Sequence, residues 1–168
     1  GYGPWREMLS TVLRHAGGVR VDHILGLFRL YWIPRMASPL TGTYVSYDFE
    51  AMVGILALEA QRAGAVVIGE DLGTVEPWVQ DVLAQKAVLG TSIVWFECDD
   101  DDYSPLPQEK YRQLALSSVN THDLPPTLAY LRGDHISLRA RLGVLTRSVE
   151  DEQRDDIEWQ ARVLGAVA

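Results

Sequence analysis

Short β-branched apolar runs alternate along the chain with stretches whose apolar residues recur every three or four positions, the pattern of βα units on a parallel sheet. Pro4 suits the first turn of a helix through about Arg14, and Gly17-Gly18 break that helix ahead of the strand Val19-Arg20-Val21-Asp22. Residues 34–46 form a loop rich in Pro, Ser and Gly. A second helix is predicted from about Phe49 to Arg62, with Met52, Ile55, Leu56 and Leu58 close to one stripe and Gly64 as its stop. The run Ala65-Val66-Val67-Ile68-Gly69 is then a wholly apolar strand ending in Glu70. Pro77 opens a helix through about Lys86, Thr91 to Phe96 makes a third strand, and Leu114 to Val119 a fourth that ends in Asn120-Thr121-His122-Asp123. From Pro125 onward the pattern is mostly helical, interrupted at Gly133 and Gly143. With no hairpin turn signal between consecutive strands, all four are expected to run parallel.

Three of the four strands are closed by acids. In an eight-stranded βα barrel the active site lies at the C-terminal ends of the strands, which is where these acids fall. The expected fold class is therefore α/β, a partial (β/α)8 TIM barrel. A doubly wound open sheet shares the grammar but would carry a glycine fingerprint that follows none of these strands. From Asp22 to Glu70 is 48 positions, one βα unit enlarged by the 34–46 loop, and from Glu70 to Asp123 is 53, two ordinary units. Asp22 and Glu70 should then stand on adjacent strands, with Asp123 two strands further round. Both ends look cut, since Gly1-Tyr2 lead almost directly into a helix and residues 157–168 stop inside one without a stop signal. Residues 1–168 are accordingly expected to be a fragment of one barrel domain. Four strands of a barrel leave two open edges and an incomplete core, so the isolated chain is expected to be unstable and to have little or no activity.

An acid that ends a buried strand is costly unless it is hydrogen-bonded, paired or functional. Each of the three, taken alone, can be a rim group accepting backbone or Arg hydrogen bonds; together they point to chemistry. Two carboxyl groups about 5 to 5.5 Å apart are what retaining glycoside chemistry requires, one as nucleophile and one as acid/base. Arg20, two positions before Asp22 on the same strand, faces the same side, so its charge either holds Asp22 ionised as the nucleophile or makes a rim salt bridge. Glu70 follows an apolar strand and precedes Asp71, a setting that suits the proton-carrying acid/base. His122 and Asp123 can grip sugar hydroxyls as the ring distorts toward an oxocarbenium ion, or form a structural pair. The pairs Asp22-His23, Glu70-Asp71 and His122-Asp123 also permit a metal-dependent hydrolase. The lack of a His-x-His pair and the presence of Arg20 argue against it, and no metal is expected.

Composition narrows the field. With 47% hydrophobic and 23% charged residues the chain is ordinary globular protein, without a membrane-length apolar run or a secretory or lipidation signal. No membrane partner is expected. A single cysteine, Cys98, cannot form an internal disulfide, which makes the cytoplasm the expected location. The net charge of -8 and the run Asp99-Asp100-Asp101-Asp102 would repel phosphodiester backbones, so no nucleic acid partner is expected. That run lacks the spacing and turn glycine of a calcium loop and reads as a solvated acidic loop.

Three motifs then carry a resemblance. Val19-Arg20-Val21-Asp22-His23, Ile68-Gly69-Glu70-Asp71-Leu72-Gly73 and Asn120-Thr121-His122-Asp123, in this order and spacing, resemble the catalytic motifs of the amylomaltase or disproportionating-enzyme family of 4-α-glucanotransferases, a branch of the α-amylase clan. Gly1-Tyr2 with Trp5, Tyr31-Trp32-Ile33-Pro34 and Gly42-Thr43-Tyr44-Val45 are similar to flanking stretches of that family, and the likeness covers roughly residues 1–130. It departs at Trp95, where the family usually has Gln before the Phe, and at Leu124-Pro125-Pro126. The resemblance implies barrel strands of about the fourth to the seventh, Asp22 as nucleophile, Glu70 as acid/base, Asp123 as stabiliser, and Arg20 and His122 as grips on substrate and nucleophile. It implies transfer of an α-1,4-glucan segment from a glucan or maltooligosaccharide donor to the 4-hydroxyl of glucose or a glucan acceptor, without cofactor. A glucan hydrolase of the same clan and a catalytically inactive remnant are the alternatives. Tyr2, Trp5, Trp32, Tyr44 and Trp95 are candidates for sugar stacking or for ordinary packing, with Trp32 and Tyr44 taken as substrate-binding.

Overall fold

The computed structural model describes residues 1–99 and 101–168; Asp100 of the acidic run lies outside the described residues. The elements are α1 (Gly3–Leu13), β1 (Gly18–Val21), β2 (Arg29–Trp32), β3 (Thr43–Ser46), α2 (Phe49–Ala63), β4 (Val66–Gly69), α3 (Pro77–Gln85), β5 (Gly90–Ile93), β6 (Ala115–Ser118), α4 (Thr127–Leu131), α5 (Asp134–Arg141) and α6 (Val149–Val167). This is a mixed α/β chain of two compact units, residues 1–91 with 114–116, and residues 92–113 with 117–168. Among the described residues no helix is long and apolar enough to cross a membrane.

In the first unit β1 pairs with β4 in parallel, in the register Gly18↔Val66 to Val21↔Gly69. A further parallel bridge joins Ile68 to Leu89, the residue before β5, so β4 is flanked on both sides. Helices α1 and α2 cover this layer. Leu9, Leu13, Ile24, Leu27, Phe28, Val53, Leu56, Ala60, Val67, Val79, Leu83 and Val88 form its core. The ends of α2 follow from the sequence. Asp48 accepts the Ala51 N–H at 3.1 Å as N-cap, and Gly64 takes the left-handed conformation, φ 63°, that ends the helix. Asp48 also accepts the Tyr2 hydroxyl at 2.6 Å, and the two bonds hold its carboxyl below its ordinary pKa, the Tyr2 bond contributing most.

Two expectations need correction. The 34–46 loop is not strandless: its last four residues form β3, which pairs with β2 in an antiparallel hairpin, Arg29↔Ser46 to Trp32↔Thr43. The third predicted strand is shorter than its apolar run, because the chain turns into a 3-10 helix over Val94–Phe96 after Ile93. β5 pairs with β6, beginning with the Gly90 N–H donating to the Leu114 carbonyl at 2.9 Å.

In the second unit α4, α5 and α6 follow β6, with breaks at Gly133 and Gly143, both at positive φ. Tyr130 packs edge-on to Trp95, and Gln160 on α6 donates to the Tyr130 carbonyl at 3.2 Å and to Asp156 at 2.7 Å. Burial and the neighbouring Asp156 carboxylate push the Tyr130 hydroxyl up to about 12, keeping it a neutral donor at physiological pH. In the acidic loop Asp99 and Asp102 accept the Asp101 and Ser104 N–H groups.

Candidate active site

Asp22 and Glu70 each follow the last residue of a strand, and the pairing Val21↔Gly69 brings them side by side, as the spacing predicts. The Glu70 N–H donates to the Val21 carbonyl and the Ile24 N–H to the Glu70 carbonyl, both at 2.9 Å, so the ladder runs through the site. Arg20 donates from Nη1 to Asp22 Oδ1 at 2.5 Å, while the Asp22 side chain stays 54% exposed. Asp22 is thus oriented by a fixed cation and still open to a ligand.

Glu70 is held more tightly than its apolar approach suggests. Its Oε2 accepts the His23 N–H at 2.9 Å and its Oε1 accepts the Leu72 N–H at 2.6 Å, so both oxygens are fixed by main-chain donors. The first bond depends on His23, whose φ of 48° and ψ of 58° are left-handed, a conformation uncommon for residues with a Cβ. Nothing in a His side chain announces that role in sequence; the strained turn directly after the strand aims the amide.

Asp71 is set apart from its neighbour. It is buried, 6% exposed, and accepts the Thr91 N–H at 2.9 Å, while the Thr91 hydroxyl donates to the Gly69 carbonyl at 3.1 Å. Its carboxylate therefore ties the end of β4 to β5, a role hidden in sequence because Asp71 looks like one more acid of the site.

Close packing continues under these residues. A Cβ on Gly69 would lie 3.0 to 3.2 Å from the Cγ1, Cβ and Cγ2 atoms of Ile24, which is fully buried. Gly69→Ala should therefore cost about 1–3 kcal/mol as an overpacking change. A lower Tm is the expected reading, and an unchanged Tm would show that Ile24 moves freely.

His122 and Asp123 lie in the second unit. His122 Nε2 stands 3.4 Å from Asp123 Oδ1, with both side chains well exposed. Their turn is braced from within. The Asp123 N–H donates to Thr121 Oγ1 at 3.1 Å, Asn120 Nδ2 donates to the Pro125 carbonyl at 2.7 Å, and the Ser118 hydroxyl donates to the Asn120 carbonyl.

The aromatic candidates separate by environment. Trp32 and Tyr44 on the hairpin are 56% and 62% exposed. Trp5 donates from Nε1 to the Met52 carbonyl at 3.0 Å and packs between α1 and α2. Trp95 is buried against Tyr130, and Tyr2 serves the Asp48 cap. The packing reading holds for Trp5 and Trp95.

Comparisons with known proteins converge. A family model described as 4-alpha-glucanotransferase matches residues 1–166. The 4-alpha-glucanotransferase of Mycobacterium tuberculosis (strain H37Rv) is 58% identical over 169 residues, 96% of this chain and 23% of that protein. That of Haemophilus influenzae is 32% identical over 155 residues, 92% of this chain and 22% of that protein. Amylomaltase from Corynebacterium glutamicum superposes with a TM-score of 0.90 at 63% identity, over 99% of this chain and 24% of its own. Amylomaltase from Streptococcus agalactiae, solved with acarbose, shares the fold at a TM-score of 0.63 and 16% identity. The chain spans about a quarter of the length of the relatives it matches.

Proposed function

The chain belongs to the 4-alpha-glucanotransferase family, and on that premise we propose that it carries out the retaining transfer of an α-1,4-glucan segment to the 4-hydroxyl of glucose or of another α-1,4-glucan. Asp22 attacks the anomeric carbon while Glu70 protonates the departing glycosidic oxygen, which leaves a covalent glycosyl-enzyme. Glu70 then takes the proton of the acceptor's 4-hydroxyl as that oxygen displaces Asp22, restoring both carboxyl groups and the α configuration. Asp123 and His122 bind hydroxyls of the distorted ring and favour its oxocarbenium-like form, and Arg20 keeps Asp22 oriented for attack. Trp32 and Tyr44 contribute sugar contacts. Every step is an exchange of protons and bonds among side chains and sugars.

The observation that carries this reading is the β1–β4 register, which sets Asp22 and Glu70 next to each other, one on a guanidinium and the other on two amides. Parallel pairing on both sides of β4 supports a (β/α)8 barrel of which this chain holds about the fourth to seventh strands, within one catalytic domain. A cytoplasmic location, read from the single cysteine, belongs to the same proposal.

Maltotriose separates transfer from hydrolysis in the protein carrying this chain. Glucose together with maltotetraose and longer products is the expected outcome. Glucose and maltose alone would replace the transferase reading with that of a hydrolase.

A further inference from the structure

The hairpin after β1 presents a ring that is fixed in place yet open to solvent. Tyr44, 62% exposed, has the Arg29 guanidinium 4.9 Å from its centroid and the Tyr31 ring at 5.2 Å and 67°. Arg29, Tyr31 and Tyr44 share one face of the hairpin, because Tyr31 and Tyr44 are directly paired and Arg29 is two positions from Tyr31. Both strands are largely exposed, and a two-stranded hairpin by itself is marginally stable.

Arg29 ties the hairpin to the segment after β4. Its Nη1 lies 2.9 Å from Glu76 Oε1, and the other Glu76 oxygen accepts the Trp78 indole N–H at 2.5 Å. Trp78 in turn packs at 5.7 Å on Phe28 and 5.3 Å on Phe49, which stack on each other at 5.1 Å. Glu76 is the N-cap residue of α3, yet its carboxylate makes no capping bond. It turns instead to Arg29 and Trp78.

The segments after β1 and β4 are thus stapled twice at equal intervals. The His23 N–H bonds Glu70 at the strand ends, and six residues on in each segment Arg29 meets Glu76. Both members of the outer pair are nearly half exposed, so the pair adds little to stability, and its effect is on position.

We propose that Arg29 is a positioning residue for substrate binding, holding the Tyr44 ring and its hairpin at a fixed place relative to the Glu70 segment so that a glucosyl ring of the α-glucan meets a preorganised stacking platform. This rests on the glucan-transfer reading. Preorganisation is felt in affinity: the ring that must be ordered at each binding event is ordered beforehand.

The test is steady-state disproportionation of maltotriose by the protein carrying this chain, wild type against Arg29→Met, Arg29→Lys and Glu76→Gln. Arg29→Met keeps the apolar stem and loses the charge. It should raise KM about fivefold, leave kcat within about twofold and leave Tm unchanged. Arg29→Lys, which keeps the cation, should recover part of the KM. Glu76→Gln, which removes the negative charge opposite Arg29 and leaves one acceptor oxygen for both Arg29 and Trp78, should raise KM in the same direction without touching the hairpin and serves as the deciding variant if Arg29→Met does not fold. An unchanged KM in these variants beside an active wild type would overturn the positioning role and leave the transfer reading intact. So would a fall in kcat that tracks a fall in Tm, which marks a structural pair. A wild type that leaves maltotriose untouched would defeat the transfer reading itself and the positioning role with it.

Discussion

Asp22→Asn is expected to lower kcat for glucan transfer by about four orders of magnitude or more, the scale seen when a covalent nucleophile is removed. The geometry makes this a clean substitution. Asp22 Oδ1 accepts from Arg20, and an Asn carbonyl oxygen can accept the same bond, so Arg20 keeps a partner while the anionic nucleophile is gone. Tm should stay close to that of the wild type. The decisive measurement is intact mass after incubation with a slowly turned-over α-glucosyl fluoride. Wild type should gain the mass of one glucosyl unit and the variant none. An adduct formed by Asp22→Asn at an undiminished rate would remove Asp22 from the role of nucleophile.

Local pattern made much of this legible. β1 and β4 are visible because their apolar runs end in charged residues, and the 48-residue interval correctly predicts that they are neighbours. The limits at Gly64 and Pro77 are visible because those residue types carry conformational information. The β2–β3 hairpin was not visible, for two physical reasons. Its strands are joined by a ten-residue connection without a two-residue turn signal, and residues 29–32 are exposed on both faces, so no apolar–polar alternation marks them. Val94–Phe96 look like the end of a strand because periodicity over three residues does not distinguish a strand from a tight helical turn. Within the site, residue types disclosed the carboxylates and the Arg20 partner of Asp22 but not the main-chain supports. The amides of His23 and Leu72, and the diversion of Asp71 to Thr91, arise from backbone geometry and burial that the letters do not encode.

Glu70→Gln is expected to differ from Asp22→Asn in stability as well as in chemistry. Both Glu70 oxygens accept main-chain N–H groups, from His23 and from Leu72. A Gln side chain offers one acceptor oxygen and one NH2, so whichever way it turns, one amide donor faces another donor. For a half-buried group this costs about 1 kcal/mol, the low end of the range for an unsatisfied partner. It acts on a turn whose His23 is already strained. Glu70→Gln should therefore melt below Asp22→Asn. Its rate on maltotriose should fall about a thousandfold, because the glycosidic oxygen now leaves without a proton. An α-glucosyl fluoride needs no such proton, and with it the variant should still glycosylate Asp22 and accumulate the adduct, since the acceptor's hydroxyl then lacks its base. Equal losses on maltotriose and on the fluoride would assign Glu70 to binding or to the fold instead of to proton transfer. Together the two variants divide the pair: one keeps its hydrogen bond and forms no adduct, and the other strains its turn and traps the adduct.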